Sequence, residues 1–208
     1  MTASKLYPAS VIKEIDRQYS QDYDISSFQL MKLAARRVVE VILTRYGDTK
    51  RAQVFCGSGN NAGDGFLVAA GLADRGWLVQ VALVGDPEKL TEASRDALAV
   101  CQNSQAIVEA FEGAVLDRAI LVDALLGLGV HGQIRSAYRS AITAINASSS
   151  AVVAVDLPSG LQPDSGEVGA VCVRAAITVT FLALKIGLFS QDGPDYVGEI
   201  ILADLGLP

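Results

Sequence analysis

Short runs of continuous apolar, β-branched residues alternate along most of this chain with longer segments that have helical spacing. Continuous apolar strands are typical of a parallel sheet that is covered on both faces. Right-handed crossovers deliver every strand-end loop to one edge of such a sheet, which is where ligands bind. We therefore predict an α/β fold with a mostly parallel sheet and a site built from strand-end loops. The predicted strands lie at 52–57, 78–85, 106–111, 119–127, 151–160, 175–184 and 199–206.

The N-terminal segment differs from the rest because it carries helical spacing without strand-like runs. We predict a helical arm at 1–47 and a core at 48–208, both within one domain of 1–208. The second helix of the arm is predicted to begin near Ser26 or Ser27, whose side chains favour helix N-termini.

Composition excludes several classes of function. The formal net charge is −6 and the basic residues are scattered, so a nucleic-acid surface is not expected. Cys56, Cys101 and Cys172 are odd in number and far apart, which argues against disulfides and zinc and favours a reducing cytoplasm. No apolar run reaches about 18 residues, so no membrane span is expected. These features predict a soluble, cytoplasmic protein.

The loop after the first predicted strand has the sequence GSGNNAGDG at 57–65. Its first six residues match the G-x-G-x-x-G/A pattern that holds dinucleotide phosphates between a strand and a helix. Glycine allows close backbone approach, and a helix N-terminus offers N–H groups to an anion. The paired asparagines and Asp64 depart from an ordinary phosphate loop, because they add amide side chains and a negative charge. The alternative is a polar turn in which Asp64 caps the helix.

Two further predicted strands end in an aspartate, Asp123 and Asp156. A carboxylate at the end of an apolar strand is costly unless it is paired or bound to a cation. Three glycines within six residues follow Asp123 and suggest backbone N–H groups around a phosphate. Pro158 and Gly160 predict a tight turn that holds Ser159 toward the sheet edge. The alternative is a flexible turn in which Asp123 caps nearby backbone.

Oxygen-bearing side chains in these loops suggest a cation site. Asn61, Asp123 and Ser159, supplemented by loop carbonyls, suit a hard cation rather than zinc or iron. A single carboxylate in this set favours a monovalent ion such as potassium.

Taken in order, the loops resemble the YjeF N-terminal domain family, the NAD(P)H-hydrate epimerases. Each motif is modestly specific, whereas the ordered set is highly specific and covers roughly residues 50–208. The matching segments are GSGNNAGDG at 57–65, VDALLGLGVHG at 122–132, AVDLPSG at 154–160, TVTFLALKIGL at 178–188 and VGEIILADLGLP at 197–208.

The resemblance implies a Rossmann-like three-layer αβα sandwich that is usually a homodimer. It also implies an enzyme that interconverts the R and S hydrates of NADH or NADPH. A dehydratase partner, fused or separate, accepts only the S form and restores the cofactor. Nucleic acid and membrane are not implied as partners.

Carried over position by position, the resemblance assigns potassium to Asn61, Asp123 and Ser159. Ala62 stands where the family has glycine, which alanine tolerates only at negative φ. His131 and Gln133 depart from the family's usual residues, which leaves their contacts open. The residues implied to contact the hydrated nucleotide are Asn60, Asn61, Ala62, Gly63, Asp64, Gly127, Leu128, Gly129, Val130, His131, Gly132, Gln133 and Asp156.

Inversion at the hydrated ring carbon requires proton transfer at its hydroxyl, whether through an iminium ion or an opened ring. We expect Asp156 to be the acid/base group. Lys185 is expected to assist as a donor or to stabilise charge, and the alternative is a surface lysine. Two other functions remain open: a non-catalytic YjeF-type binding or scaffold module, and a nicotinamide-dependent oxidoreductase with Asp86 as its acidic residue.

Overall fold

The computed structural model describes residues 5–129, 133–203 and 205–206. Within this part of the chain no helix is long and apolar enough to cross a membrane. The helices are α1 Ala9–Asp22, α2 Ser27–Tyr46, α3 Asn60–Ala73, α4 Glu92–Gln102 and α5 Ser136–Ala147. The strands are β1 Leu6–Tyr7, β2 Arg51–Cys56, β3 Leu78–Leu83, β4 Ile107–Ala110, β5 Ile120–Ala124, β6 Val152–Val155, β7 Ile177–Phe181, β8 Leu184–Lys185 and β9 Glu199–Ala203.

Seven of the described strands form one sheet in the order β4-β3-β2-β5-β6-β7-β9. Every neighbouring pair in this sheet is parallel. The order reverses between β2 and β5, so the loops that follow these strands flank the crevice in which parallel sheets bind ligands. The predicted parallel α/β fold is confirmed.

Helices cover both faces of the sheet. On one face, α2, α3 and α4 pack on residues such as Val54 and Val122, which are fully buried. On the other face, α5 packs on Phe55 and Leu121, which alternate with the first pair along β2 and β5. Alternation of buried residues on both sides is what a doubly covered sheet requires. The chain is therefore the three-layer αβα sandwich that the resemblance implied.

The second helix of the predicted arm belongs to the core. The Ser26 side chain accepts a hydrogen bond from the backbone N–H of Gln29, and the Gln29 side chain accepts one from Ser26, forming a capping box. This confirms the predicted start of α2. Val38 and Ile42 of α2 are fully buried in the main core, so α2 is one of the layer helices.

The first helix, in contrast, is fastened at its N-terminal end by distant parts of the chain. Strand β1 pairs with β8 in parallel, with Tyr7 opposite Lys185. Pro8 stands at the N-cap of α1 and has no side chain that accepts a hydrogen bond. The Asp164 carboxylate instead accepts one from the backbone N–H of Ala9, at 2.5 Å. A residue from the loop after β6 therefore caps α1.

We predict that Asp164→Ala loosens α1 selectively. Loss of a helix-capping carboxylate costs about 1 kcal/mol, because the Ala9 N–H loses its partner. Hydrogen exchange followed by mass spectrometry is expected to show faster exchange in α1, with the sheet unchanged. Glu167→Ala is the matched control, since it removes an exposed carboxylate from the same loop; equal exchange in α1 of both variants would contradict the assignment.

Candidate active site

A strained turn at the end of β6 presents Asp156. Its φ is +69°, a value that is uncommon for residues other than glycine. The backbone N–H of Leu157 donates to the carbonyl of Val155 at 2.9 Å, so the chain reverses within three residues. Leu182, which follows β7, also has a positive φ, at +62°. Such strain persists only where the surroundings hold it, and it concentrates at functional sites.

Lys185 lies beside Asp156 and is completely buried. Its ammonium forms an ion pair with Asp156 Oδ1 and donates to Thr180 Oγ1 at 2.7 Å and to the carbonyl of Phe181 at 2.9 Å. An ammonium has three N–H donors, and all three are thus engaged within the protein. The alternative of a surface lysine is wrong, and the geometry makes Lys185 the residue that positions Asp156.

The second oxygen of Asp156 remains available. Thr180 and the backbone N–H of Phe181 also donate to Oδ1, at 3.3 Å and 3.4 Å. Oδ2 has no hydrogen-bond partner within the described residues, and the side chain is 13% exposed. Asp156 therefore offers one free carboxylate oxygen to a ligand.

A second buried carboxylate, Asp123, lies at the end of β5. Its Oδ2 accepts from the backbone N–H of Ser159 at 2.7 Å, and its Oδ1 accepts from Ser159 Oγ at 2.6 Å and from the Leu125 N–H at 3.2 Å. Burial raises the pKa of Asp123 to about 6, although these hydrogen bonds act in the opposite direction. In the described part of the chain, no lysine, arginine or histidine is paired with it.

The carbonyl of Leu126 joins the three predicted cation ligands. Asn61 Nδ2 donates to this carbonyl at 3.0 Å, and Ser159 Oγ lies 3.4 Å from it while accepting from the Leu126 N–H at 2.9 Å. Ser159 Oγ in turn contacts Asp123. Because no group of three His, Cys, Asp or Glu residues that suits a metal occurs among the described residues, a transition-metal centre finds no support there. The donor set is oxygen-rich and carries one carboxylate, and potassium at this set stays a prediction.

Close contact between the loops after β2 and β5 depends on glycine. A Cβ atom at Gly57 would lie 2.0 Å from the carbonyl oxygen of Leu125, so a side chain there would force the two loops apart. Separation of the loops would in turn move Asn61 away from the Leu126 carbonyl.

A cavity of about 590 Å³ opens where the loops after β2, β5 and β6 meet. Its volume suits a small organic ligand or part of a nucleotide. The structure thus gathers most of the predicted contact residues around one space. Those that line the cavity are Asn60, Asn61, Asp64, Gly127, Leu128, Gly129, Gln133, Asp156 and Lys185.

The positions of two predicted contact residues do not support the prediction. Ala62 is fully buried in the main core, and a Cβ at Gly63 would lie 2.6 Å from Met31 Sδ. Both therefore pack against the protein rather than line the cavity. Ala62 lies within α3, where φ is negative, so the condition for replacing glycine is met. Val130, His131 and Gly132 lie outside the described residues.

The predicted loop at 57–65 is partly helical, since α3 begins at Asn60 with Gly59 at its N-cap. The alternative in which Asp64 caps a helix is wrong, because Asp64 lies inside α3. The first turn of α3 has no side-chain cap, although the Ala62 N–H donates to the Gly59 carbonyl at 3.1 Å, and Asn60 and Asn61 of this turn border the cavity. This is the arrangement that favours an anion.

Three carboxylates meet at the cavity, and one of them was missed by sequence analysis. Burial raises the pKa of Asp64 well above its usual range, and the charges of Asp156 and Asp16 raise it further, whereas Lys185 opposes them. Burial also raises the pKa of Asp16, as does Asp156. Asp16 belongs to α1, and the one sequence signal for it is its place one turn after the buried Ile12.

Hydroxyl groups on the cavity wall were also missed. Ser58 Oγ and Tyr138 OH lie 3.1 Å apart, and Thr91 Oγ1 donates to Asn60 Oδ1 at 2.8 Å. Thr91 caps α4, while its hydroxyl orients Asn60. These groups can hydrogen-bond sugar or phosphate oxygens. Their side chains come from segments far apart in the sequence, which is why no motif revealed them.

A three-layer sandwich with a polar cavity at the carboxyl edge of its parallel sheet, beside the reversal of strand order, defines a Rossmann-like ligand-binding protein. The chain belongs to the family described as YjeF-related protein N-terminus, whose model matches residues 27–187. The family predicted from the loop motifs is therefore confirmed.

Curated relatives cover nearly the whole chain. It is 38% identical over 205 residues to a protein of Limosilactobacillus reuteri named NAD(P)H-hydrate epimerase, covering 97% of this chain and 96% of that one. It is 37% identical over 203 residues to the bifunctional NAD(P)H-hydrate repair enzyme Nnr of Coxiella burnetii, covering 97% of this chain. The chain spans 41% of the length of that bifunctional relative.

Among solved structures, yeast ynu0 has the same fold. The two superimpose with a TM-score of 0.79 over 88% of this chain and 82% of the yeast chain, at 20% sequence identity. This likeness supports the architecture.

Because Asp123 is buried, we predict that its ionisation lowers the stability of the folded protein as pH rises. Its folded pKa of about 6 exceeds the ordinary value of 3.8, so the folded protein binds more protons between these values and loses stability as pH rises through them. In potassium-free buffer, the unfolding free energy of Asp123→Asn relative to the wild type is expected to rise by about 2 to 3 kcal/mol between about pH 4 and pH 7. Urea unfolding at several pH values measures it, with the exposed Asp117→Asn as control; a difference that does not vary with pH would contradict it.

Proposed function

We propose that this chain is an epimerase that interconverts the R and S hydrates of NADH and NADPH. The observation that carries the proposal is Asp156, which Lys185 holds at the wall of the cavity with one carboxylate oxygen free. At least one proton-transfer group at the hydroxyl of the hydrate is what the inversion requires. The name of the L. reuteri relative, NAD(P)H-hydrate epimerase, supports the substrate class.

Asp156 acts as the acid/base group in this proposal. Its free Oδ2 accepts the proton of an entering water and returns a proton to the leaving hydroxyl. Lys185 does not reach the substrate, since its three N–H groups are occupied by Asp156, Thr180 and Phe181. In this proposal Lys185 fixes the Asp156 carboxylate and balances its negative charge. Of the two roles expected for Lys185 from the sequence, it therefore stabilises charge and does not donate a proton.

The nucleotide part of the substrate is held by the start of α3 and the loop after β5. The first-turn N–H groups of α3 and the backbone at Gly127–Gly129 offer donors to phosphate oxygens. Asn60, oriented by the Thr91 hydroxyl, and the Ser58 hydroxyl add side-chain hydrogen bonds. The acidic end of the cavity, at Asp64 and Asp156, receives the ring.

Potassium fits the cluster of Asn61, Asp123 and Ser159. The fully buried Asp123 carboxylate has no cationic side chain paired with it among the described residues, and its hydrogen-bond partners are the neutral N–H groups of Leu125 and Ser159 and the Ser159 hydroxyl. A bound potassium ion would supply the compensating charge and tie the loops after β5 and β6 together. Its contribution is structural in this proposal, because Asp123 and Ser159 lie behind the cavity wall and only Asn61 of the cluster also lines the cavity.

A dehydratase that accepts the S hydrate is the functional partner in this proposal, in keeping with the name of the bifunctional C. burnetii relative. The unpaired, buried cysteines Cys56, Cys101 and Cys172 support a reducing compartment such as the cytoplasm. The homodimer implied by the resemblance stays a prediction.

The oxidoreductase alternative finds no support at its key residue. Asp86 lies on the exposed side of a short 3-10 turn, accepts the N–H of Glu88 and pairs with Lys89. It does not border the cavity. A non-catalytic module is disfavoured by the buried Lys185–Asp156 pair, since a strained turn and a buried charge are costly to keep without use.

We predict that Asp156→Asn lowers the turnover of hydrate epimerisation by about 10²–10⁴-fold, because the amide cannot carry the proton. Chromatographic separation of the R and S hydrates of NADH, with and without protein, measures the rate above the spontaneous reaction. Asp117→Asn removes an exposed carboxylate elsewhere and is expected to retain wild-type turnover. Undiminished epimerisation by Asp156→Asn would overturn the assignment.

We also predict that potassium stabilises the folded protein. Replacing choline chloride by potassium chloride at constant ionic strength is expected to raise the wild-type Tm, because a ligand that binds the folded state shifts unfolding by mass action. Asp123→Asn is expected to lose this response, and Asp117→Asn to keep it. A Tm that does not respond to potassium in the wild type would exclude the cation site.

A further inference from the structure

The carboxylate of Asp16 is the charged group in the cavity that the proposed mechanism does not use. It projects from α1 into the lining, next to Ile12 and Lys13 of the same helix. It is partly buried and forms no hydrogen bond or ion pair within the described part of the chain. A desolvated carboxyl group without a protein partner is costly, and a ligand that hydrogen-bonds to it relieves that cost.

Asp16 lines the same cavity as Asp64, Asp156 and Lys185. The charged groups that act on Asp16 and on its neighbour Asp64 come from different elements: Asp156 from the turn after β6 and Lys185 from β8. Neither Asp16 nor Asp64 forms an ion pair within the described residues, although Lys13 and Arg135 also line the cavity. Burial and the charge of Asp156 raise the pKa values of both carboxyl groups, which favours retention of a proton.

Inversion needs proton transfer in two places. A proton must reach the oxygen that leaves one face of the ring, and another must leave the water that enters the opposite face. If Asp156 is the only proton-transfer group, it has to act on both faces of the ring. Two groups on different walls of the cavity can each act on one face. Resting on the proposed epimerase function, we propose that Asp16 is a second proton-transfer residue, carried to the ring by α1 and complementary to Asp156.

The step balances as follows. The bond between the ring carbon and its hydroxyl oxygen breaks with its electron pair on oxygen, and the Asp16 carboxyl gives that oxygen its proton, so that water leaves. The lone pair of the ring nitrogen forms the C=N bond of an iminium ion. Water then attacks the opposite face, the C=N pair returns to nitrogen, and Asp156 takes the excess proton; proton exchange with solvent water then returns Asp16 and Asp156 to their starting states. The reverse reaction exchanges the two roles.

The attachment of α1 suits this role. Strand β1 pairs Tyr7 with Lys185, and the Asp164 carboxylate caps α1 at Ala9. The helix that carries Asp16 is therefore joined to the strand whose lysine positions Asp156. This connection fixes the two carboxylates relative to each other.

Asp16→Asn tests the proposal in the full chain, by the same chromatographic assay. We expect kcat to fall by about 10²-fold with KM little changed, since the proton is lost while the shape of the side chain is kept. Asp16→Glu is expected to recover part of the loss. Glu14→Gln is the matched control, because Glu14 is an exposed carboxylate on the same helix, paired with Arg17, and this variant is expected to keep wild-type kinetics.

Several outcomes overturn the proposal while leaving the epimerase function intact. They are a wild-type kcat in Asp16→Asn, a change confined to KM, or an equal loss in Glu14→Gln. If Asp16→Asn does not fold, Asp16→Ser and Asp16→Glu give the same comparison, with loss in the first and partial recovery in the second. A wild-type protein that does not accelerate hydrate epimerisation contradicts the proposed function itself, and the inference with it.

Discussion

Burial of the Lys185 ammonium is the constraint on which the rest of the site depends. A charge removed from water must be compensated by partners of good geometry, because leaving it unpaired costs several kcal/mol. Those partners are Asp156, Thr180 and the Phe181 carbonyl, which lie on the ends of β6 and β7. To meet them the chain adopts positive φ at Asp156 and Leu182. The strained turns and the lysine thus hold each other in place.

The carboxylates in and around the cavity differ in the charged and polar groups that surround them. Lys185 neutralises Asp156, whereas Asp123 stays buried among neutral donors, and Asp16 and Asp64 form no ion pair within the described residues. Each carboxylate therefore has a different environment, and environment sets the protonation state that a carboxyl group holds near neutral pH. One edge of the sheet consequently holds an ion-paired carboxylate, a carboxylate buried among neutral donors and two carboxyl groups whose pKa values burial raises.

Periodicity and loop chemistry were sufficient to predict the parallel sheet, its layers and the meeting of three loops. Asn61, Asp123 and Ser159 could be grouped in advance because each follows a strand, and parallel strands end at one edge. The same reasoning could not predict which residues of α3 line the cavity and which point to the core. Ala62 and Gly63 stand between residues that line the cavity, yet they point to the core, because a helix turns by about 100° per residue and its phase depends on packing.

Contacts between distant segments were equally hidden. Asp16 was assigned to a helical arm, and only the pairing of β1 with β8 brings that arm to the cavity. The partners of Lys185 were missed for the same reason, because nothing in the ALKIGL sequence indicates that the side chain turns inward under the end of β7. Local patterns therefore predicted the scaffold, while tertiary pairing decided which charges meet.

The ladder between Leu6–Tyr7 and Leu184–Lys185 joins segments from opposite ends of the described chain. Closing so long a loop costs conformational entropy, and this cost is offset only when the native contacts have formed. During synthesis on the ribosome, the sheet from β2 to β6 can assemble while its last strands are still being made. The cavity acquires its α1 wall only after β8 has emerged, so this side of the cavity is completed later than the sheet from β2 to β6.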